Sequence, residues 1–132
     1  MNCSRKLKLI ILLMVIGMLL ILIAGCTYVT PDYDNYTVSY IRISPSFATM
    51  KVNTSKIFTV KAYDAEDNII PVDSSEVSWE LAYECPICDG IGVINPKSGS
   101  LSTSFTPYRT GLYHIYAYYK GKKDNSPIEV IP

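Results

Sequence analysis

The clearest signal along the chain is alternation of apolar and polar residues in short runs, broken by Pro, Gly, Asn and Asp. Tyr40-Ile41-Arg42-Ile43-Ser44 alternates and stops at Pro45, which reads as a first strand, with Met50-Lys51-Val52 as its short continuation on a partner sheet. Lys56 to Tyr63 alternates again through Phe58, Val60 and Ala62, then ends in the polar turn Asp64-Ala65-Glu66-Asp67-Asn68, after which Ile69-Ile70 resumes before Pro71. Glu76 to Leu81 puts Val77, Trp79 and Leu81 on one face and Ser78 and Glu80 on the other. Ile91–Ile94 and Leu101–Phe105 are shorter strands separated by the turn Asn95-Pro96-Lys97-Ser98-Gly99. Leu112–Tyr119 is the longest strand, and Pro127–Ile131 closes the chain. No window of useful length has helical periodicity. Seven to nine short strands between turn residues predict an all-β fold, an antiparallel β-sandwich.

The first 26 residues follow another rule. Arg5, Lys6 and Lys8 precede an apolar run from Leu9 to Ala24, followed by Gly25 and Cys26. Basic, then apolar, then small is the order of a secretory signal. Ile23-Ala24-Gly25-Cys26 resembles the prokaryotic lipoprotein signal, which implies that Cys26 is acylated and becomes the mature N-terminus, so that its partner is membrane lipid. Residues 1–25 are then the signal peptide and 26–38 a lipid-anchored tether, in which Pro31, Asp32, Asp34 and Asn35 disfavour helix and strand alike. Two or more acyl chains anchor stably where one would be marginal. The rival reading is an uncleaved anchor: continuing the run through Val29 gives about 20 apolar residues, enough to span a bilayer. Both place the basic end in the cytoplasm and the rest outside.

Ile41-x-Ile43-Ser44-Pro45, then Phe58-x-Val60-x-Ala62-x-Asp64, then Val77-x-Trp79, with the later Gly99-x-Leu101 and Thr110-Gly111-x-Tyr113-x-Ile115-x-Ala117, resembles a bacterial Ig-like domain of the group 2, intimin- and invasin-like type. The resemblance covers residues 39–132. It implies an Ig-like β-sandwich behind the signal, of the kind found in adhesins, other surface proteins and glycan-active enzymes, and it carries no catalytic residues. Two departures stand out: Asn53-Thr54-Ser55 replaces the family's usual glycine before the second strand, and a cysteine-containing insertion follows the Trp79 strand. Within this frame Trp79 reads as the core residue between the sheets, and Tyr113 as a tyrosine corner. With Tyr113, Ile115 and Ala117 facing inward, His114, Tyr116 and Tyr118 face out, either as the candidate binding face for an envelope protein or a glycan or as ordinary strand formers partly covered by a neighbouring loop.

Charge and cysteine content narrow the chemistry. The chain has 12 Lys/Arg and 12 Asp/Glu. Losing the signal removes three basic residues and leaves a net charge of −3. Neither a basic surplus nor a Lys/Arg run points to nucleic acid; Lys120, Lys122 and Lys123 fit a solvated hairpin turn. All 11 Tyr lie after Cys26, a content suited to strands and recognition surfaces. Cys85 and Cys88 are two residues apart. In an oxidising compartment the leading expectation is a local disulfide, worth at most ~2 kcal/mol for so short a loop. Zinc would need further ligands, such as His114 and Asp89. A redox thiolate is disfavoured by the flanking carboxylates of Glu84 and Asp89. Asp64, Glu66 and Asp67 offer weak calcium ligands or, more simply, a solvated turn. Asn35-Tyr36-Thr37 and Asn53-Thr54-Ser55 match glycosylation sequons. No phosphate loop, hydrolase motif, resident metal or cofactor is expected. The expected function is that of a non-catalytic, membrane-anchored extracytoplasmic lipoprotein with a structural or binding role in adhesion or envelope assembly. The alternative is a thiol-redox or metal-binding protein acting through Cys85 and Cys88.

Overall fold

The structure is a computed structural model that describes residues 32–84 and 91–132. The chain divides into two units, Met1–Thr30 and Pro31–Pro132. Every described residue belongs to the second. Cys26, Cys85 and Cys88, and with them the lipidation and disulfide expectations, lie outside the described residues.

The alternating segments form strands in two sheets. One sheet runs β1 (Tyr40–Ser44), β3 (Lys56–Tyr63), β7 (Ser102–Pro107), β6 (Gly92–Asn95), with the two-residue β4 (Ile69–Ile70) also paired to β3. The other runs β2 (Ala48–Lys51), β9 (Lys122–Ile131), β8 (Gly111–Tyr119), β5 (Ser78–Tyr83). All pairings are antiparallel except β2 with β9, which is parallel. In immunoglobulin lettering these orders are A-B-E-D and A′-G-F-C, the constant-type arrangement with the first strand split between the sheets.

The split follows from the residues around it. β1 ends at Pro45, which has no N–H to give to a ladder. Asp124 Oδ2 accepts the Ile43 N–H at 2.7 Å, and Ser126 Oγ donates to Pro45 O at 2.8 Å. Two polar side chains of β9 thus hold the crossing chain where backbone pairing stops. It then re-pairs as β2, in register from Ala48 opposite Ile128 to Lys51 opposite Ile131.

The core lies between the sheets. Ile41, Ile43, Phe58, Val60, Ala62 and Phe105 from one meet Met50, Trp79, Tyr113, Ile115, Ala117, Ile128 and Val130 from the other, all buried. Val38 joins them, so packing begins just before β1, after a single 3₁₀ turn at Tyr33–Asn35. Each large side chain of this set gains about 1.5–3 kcal/mol on burial. The contact between the half-buried His114 ring and the exposed Glu84 carboxylate, at 3.9 Å, is worth at most about 1 kcal/mol. Apolar packing therefore dominates. Buried polar groups are paired within it: Trp79 Nε1 donates to Ser100 O at 2.9 Å, and Thr103 Oγ1 to Pro96 O at 2.8 Å. Tyr113 is fully buried, and its hydroxyl lies 2.8 Å from Arg109 O, four residues upstream, and 2.9 Å from Ile91 O. That is a tyrosine corner.

Three strand starts differ from the sequence expectation by two residues or more. Glu76 belongs to a 3₁₀ turn, Ser74–Glu76, rather than to β5, because Asp73 Oδ1 accepts both the Ser75 N–H and its hydroxyl and holds the chain in that turn. β2 begins at Ala48 rather than Met50. The closing strand starts at Lys122 rather than Pro127. Lys120 and Gly121 both have positive φ, 43° and 73°, so a two-residue turn suffices and Tyr119 pairs directly with Lys122. Pro127 is tolerated inside β9 because the β2 ladder starts only at Ile128. Asn53 has φ 61°, a conformation asparagine adopts more readily than other side chains.

Candidate functional site

The outer face of the β5–β8–β9 sheet carries the residues singled out by alternation. In β8 the buried set is Tyr113, Ile115, Ala117 and Tyr119, while His114, Tyr116 and Tyr118 turn to the other side and are half-buried. Cross-strand register brings them neighbours that alternation along a single strand does not pair with them. Tyr118 lies opposite Ser78 and Lys123, Tyr116 opposite Glu80 and Asn125, and His114 opposite Ala82 and Pro127.

These side chains form one network. Tyr118 OH donates to Glu80 Oε2 at 2.6 Å. Lys123 Nζ lies 3.9 Å from the Tyr116 ring centroid and 5.2 Å from that of Tyr118, within cation–π range of both. His114 and Tyr116 stack with centroids 6.1 Å apart and planes 20° from parallel. Asn125 Nδ2 is 3.2 Å from His114 Nδ1. With the amide nitrogen donating, Nδ1 accepts and the ring proton sits on Nε2, facing Glu84 Oε1 at 3.9 Å. The structure thus brings His114, Tyr116 and Tyr118 together and surrounds them with Glu80, Asn125 and Lys123. Lys123 was expected in a solvated turn. The two-residue turn instead places it in β9, across the tyrosines.

The arrangement is suited to contact. It offers aromatic planes at low entropic cost, one cation already seated on them, and a carboxylate and an amide at the sides. A concavity of about 320 Å³ opens beside Tyr116, Lys123 and Asn125. Among the described residues no three His, Cys, Asp or Glu side chains gather where they could hold a metal.

The Asp64 turn is now explained by its own hydrogen bonds. Asp64 Oδ1 accepts from Glu66 N and Asn68 N at 3.0 and 2.8 Å, and Oδ2 from Asn68 Nδ2 at 3.0 Å. The Asn68 side chain, then the backbone donors, hold the Asp64 carboxyl below its ordinary range. Its oxygens serve the turn. A groove of about 300 Å³ also separates the β5 and β6 edges, lined by Trp79, Leu81, Ile91, Ile94 and Lys97. Among the described residues it gathers no cluster of reactive groups.

No protein-family model matches the chain, and a search of curated proteins returns no match. Solved structures share its fold. Domains 5–6 of the S-layer protein SbsC align with a TM-score of 0.54 at 13% identity, over 72% of this chain and 44% of that one. SbsC domains 4 and 5 give 0.51 at 12% identity, over 73% and 53%. A longer SbsC structure, domains 4–9, gives 0.52 at 13%, over 72% and 14%. The chain spans about half or less of each of these, and the likeness is one of fold.

Proposed function

We propose that this protein is a non-catalytic, membrane-anchored extracytoplasmic lipoprotein whose Ig-like domain presents the outer face of its β5–β8–β9 sheet to an envelope protein or glycan. One observation carries the reading. Three aromatic or heteroaromatic side chains of the strand next to the sheet's edge, His114, Tyr116 and Tyr118, stand outside a core that is complete without them, in one ordered network with Lys123, Glu80 and Asn125. Ordered aromatic area rimmed by polar groups is the composition of binding hot spots. Two further points support the setting. The S-layer protein SbsC contains domains of this fold, and the N-terminal segment has the order of a lipoprotein signal.

The test is sedimentation of the purified full-length protein, kept in detergent micelles that occupy its anchor, with detergent-extracted cell envelopes, comparing wild type with Tyr116→Ser/Tyr118→Ser. Both side chains are outside the core, so the variant keeps the fold. Saturable binding that falls at least about tenfold in the variant, the loss expected for a hot-spot pair, supports the proposal. Equal binding by both proteins contradicts it. The anchoring claim has its own test. Intact mass spectrometry of the protein from its native membrane should find residues 1–25 missing and an acylated Cys26, and an intact N-terminus would replace the lipoprotein with a signal anchor.

A further inference from the structure

The opposite sheet carries a second, unrelated surface feature. Arg42 of β1 and Lys61 of β3 are direct cross-strand partners, both exposed on the outer face. Like charges placed opposite each other on one face of a sheet repel. Such a pair is normally relieved by a neighbouring carboxylate, yet among the described residues neither makes an ion pair. Asp67 accepts the Tyr40 hydroxyl, and Asp124 Oδ2 accepts the Ile43 N–H.

Arg42 is also held in place. Tyr40 and Tyr63 stack with centroids 4.9 Å apart and planes 9° from parallel, and the guanidinium carbon lies 5.1 and 5.8 Å from their centroids. Tyr40 is in turn fixed by its bond to Asp67. A guanidinium ordered before binding forfeits less entropy on taking a ligand. Beside it is a concavity of about 390 Å³, bordered by Arg42, Lys61, Tyr63, Thr59, Ser44 and Ser46, with no carboxylate among the described residues that line it. Donors and positive charge therefore converge on one open space that lacks a counter-charge.

We infer that this concavity binds a phosphodiester anion, with Arg42 as the forked donor, Lys61 as the second charge and the Ser44 and Ser46 hydroxyls as further donors. Cross-strand partners carry their Cβ atoms roughly 5 Å apart, so both cationic heads reach one group. A carboxylate would have to serve the Arg42 fork and Lys61 through the same two coplanar oxygens. A tetrahedral phosphodiester adds two ester oxygens to its two non-bridging ones, so acceptors point in more than one direction and the Ser44 and Ser46 hydroxyls are served as well as the two cations. Phosphodiesters at a cell envelope occur in lipid headgroups and in soluble polymers, and the chemistry of the site is the same for either. This site lies on the other sheet from the tyrosine face and does not depend on it.

The test uses the full-length chain in zwitterionic micelles, with backbone amide shifts read by NMR. One arm titrates oligo(glycerol phosphate); the other dopes the micelles with phosphatidylglycerol. Saturable shifts centred on residues 42, 44, 59 and 61 are expected in at least one arm, and the responding arm identifies the source. Arg42→Gln and Lys61→Gln should each weaken binding about tenfold, the loss expected for a hydrogen bond to a charged group. Lys61→Gln leaves the tyrosine–arginine stack untouched, so its effect cannot come from unfolding. The inference fails if neither arm gives saturable shifts there, if both variants bind as wild type does, or if polyglutamate binds equally well.

Discussion

Tyr113→Phe isolates the contribution of the tyrosine corner. The ring is fully buried, with centroids 4.5 Å from Tyr83 and 5.2 Å from Phe105, and phenylalanine keeps that packing. What is lost is one proton shared between Arg109 O at 2.8 Å and Ile91 O at 2.9 Å. Ile91 O keeps a second donor, the Tyr108 N–H at 3.0 Å, and Arg109 sits at the surface, where water reaches its carbonyl. The penalty for a stranded buried acceptor, up to about 3 kcal/mol, therefore does not apply in full. The net value of one hydrogen bond, about 1–1.5 kcal/mol, does. For a domain of this size that lowers Tm by roughly 4–12 °C. Thermal and urea unfolding of the full-length protein should show this drop with an unchanged urea m-value. A loss below about 0.3 kcal/mol would show that the hydroxyl does not anchor the loop before β8, and one well above 3 kcal/mol would mean that the ring repacks. Alkaline pH supplies a second reading. Burial, the largest cause, pushes the Tyr113 phenol above its ordinary value. Its contribution is complete below the unfolded-state value of about 10 and is lost as pH rises through the folded one. The variant should therefore show a flatter alkaline limb than wild type.

Other residues give independent checks. Asp124→Ala strands the part-buried Ile43 N–H and should cost about 1–3 kcal/mol in urea unfolding; a neutral result would show that β1 crosses between the sheets without this strap. Trp79→Ala removes a core side chain together with its bond to Ser100 O, and should cost about 3–5 kcal/mol by the same assay. Asp64 and Asp73 are both held below the ordinary carboxylate range, chiefly by the side chains of Asn68 and Ser75 respectively. Their contribution is present above about pH 3.9 and lost as pH falls through the folded-state values, so Asp64→Asn/Asp73→Asn should flatten the acid limb of a stability–pH curve. An unchanged limb would refute that assignment.

What was legible in the sequence was what alternation encodes locally. Period two placed Val77 and Trp79 in the core, and it sorted β8 into an inner set from Tyr113 to Ala117 and an outer set from His114 to Tyr118. The hidden features depend on partners distant in the chain. Glu80 and Asn125 flank Tyr116 only because β5 and β9 pair with β8 in one particular register. Lys123 reaches the tyrosines because a two-residue turn lets β9 begin five residues before Pro127, which on its own marks a strand start. Pairing Arg42 with Lys61 likewise required the β1–β3 register. Asp124 and Ser126, which hold the chain at the sheet crossover, carry no local pattern that marks them.

The claim that the β5–β8–β9 face is the working surface is tested most directly by photocrosslinking in living cells. A photoreactive amino acid replaces Tyr116 in one strain and Ile57, which is exposed on the outer face of the other sheet, in a second. The account predicts a discrete crosslinked product from position 116 and none from position 57. Crosslinking from position 57 alone, or from neither position, would contradict it.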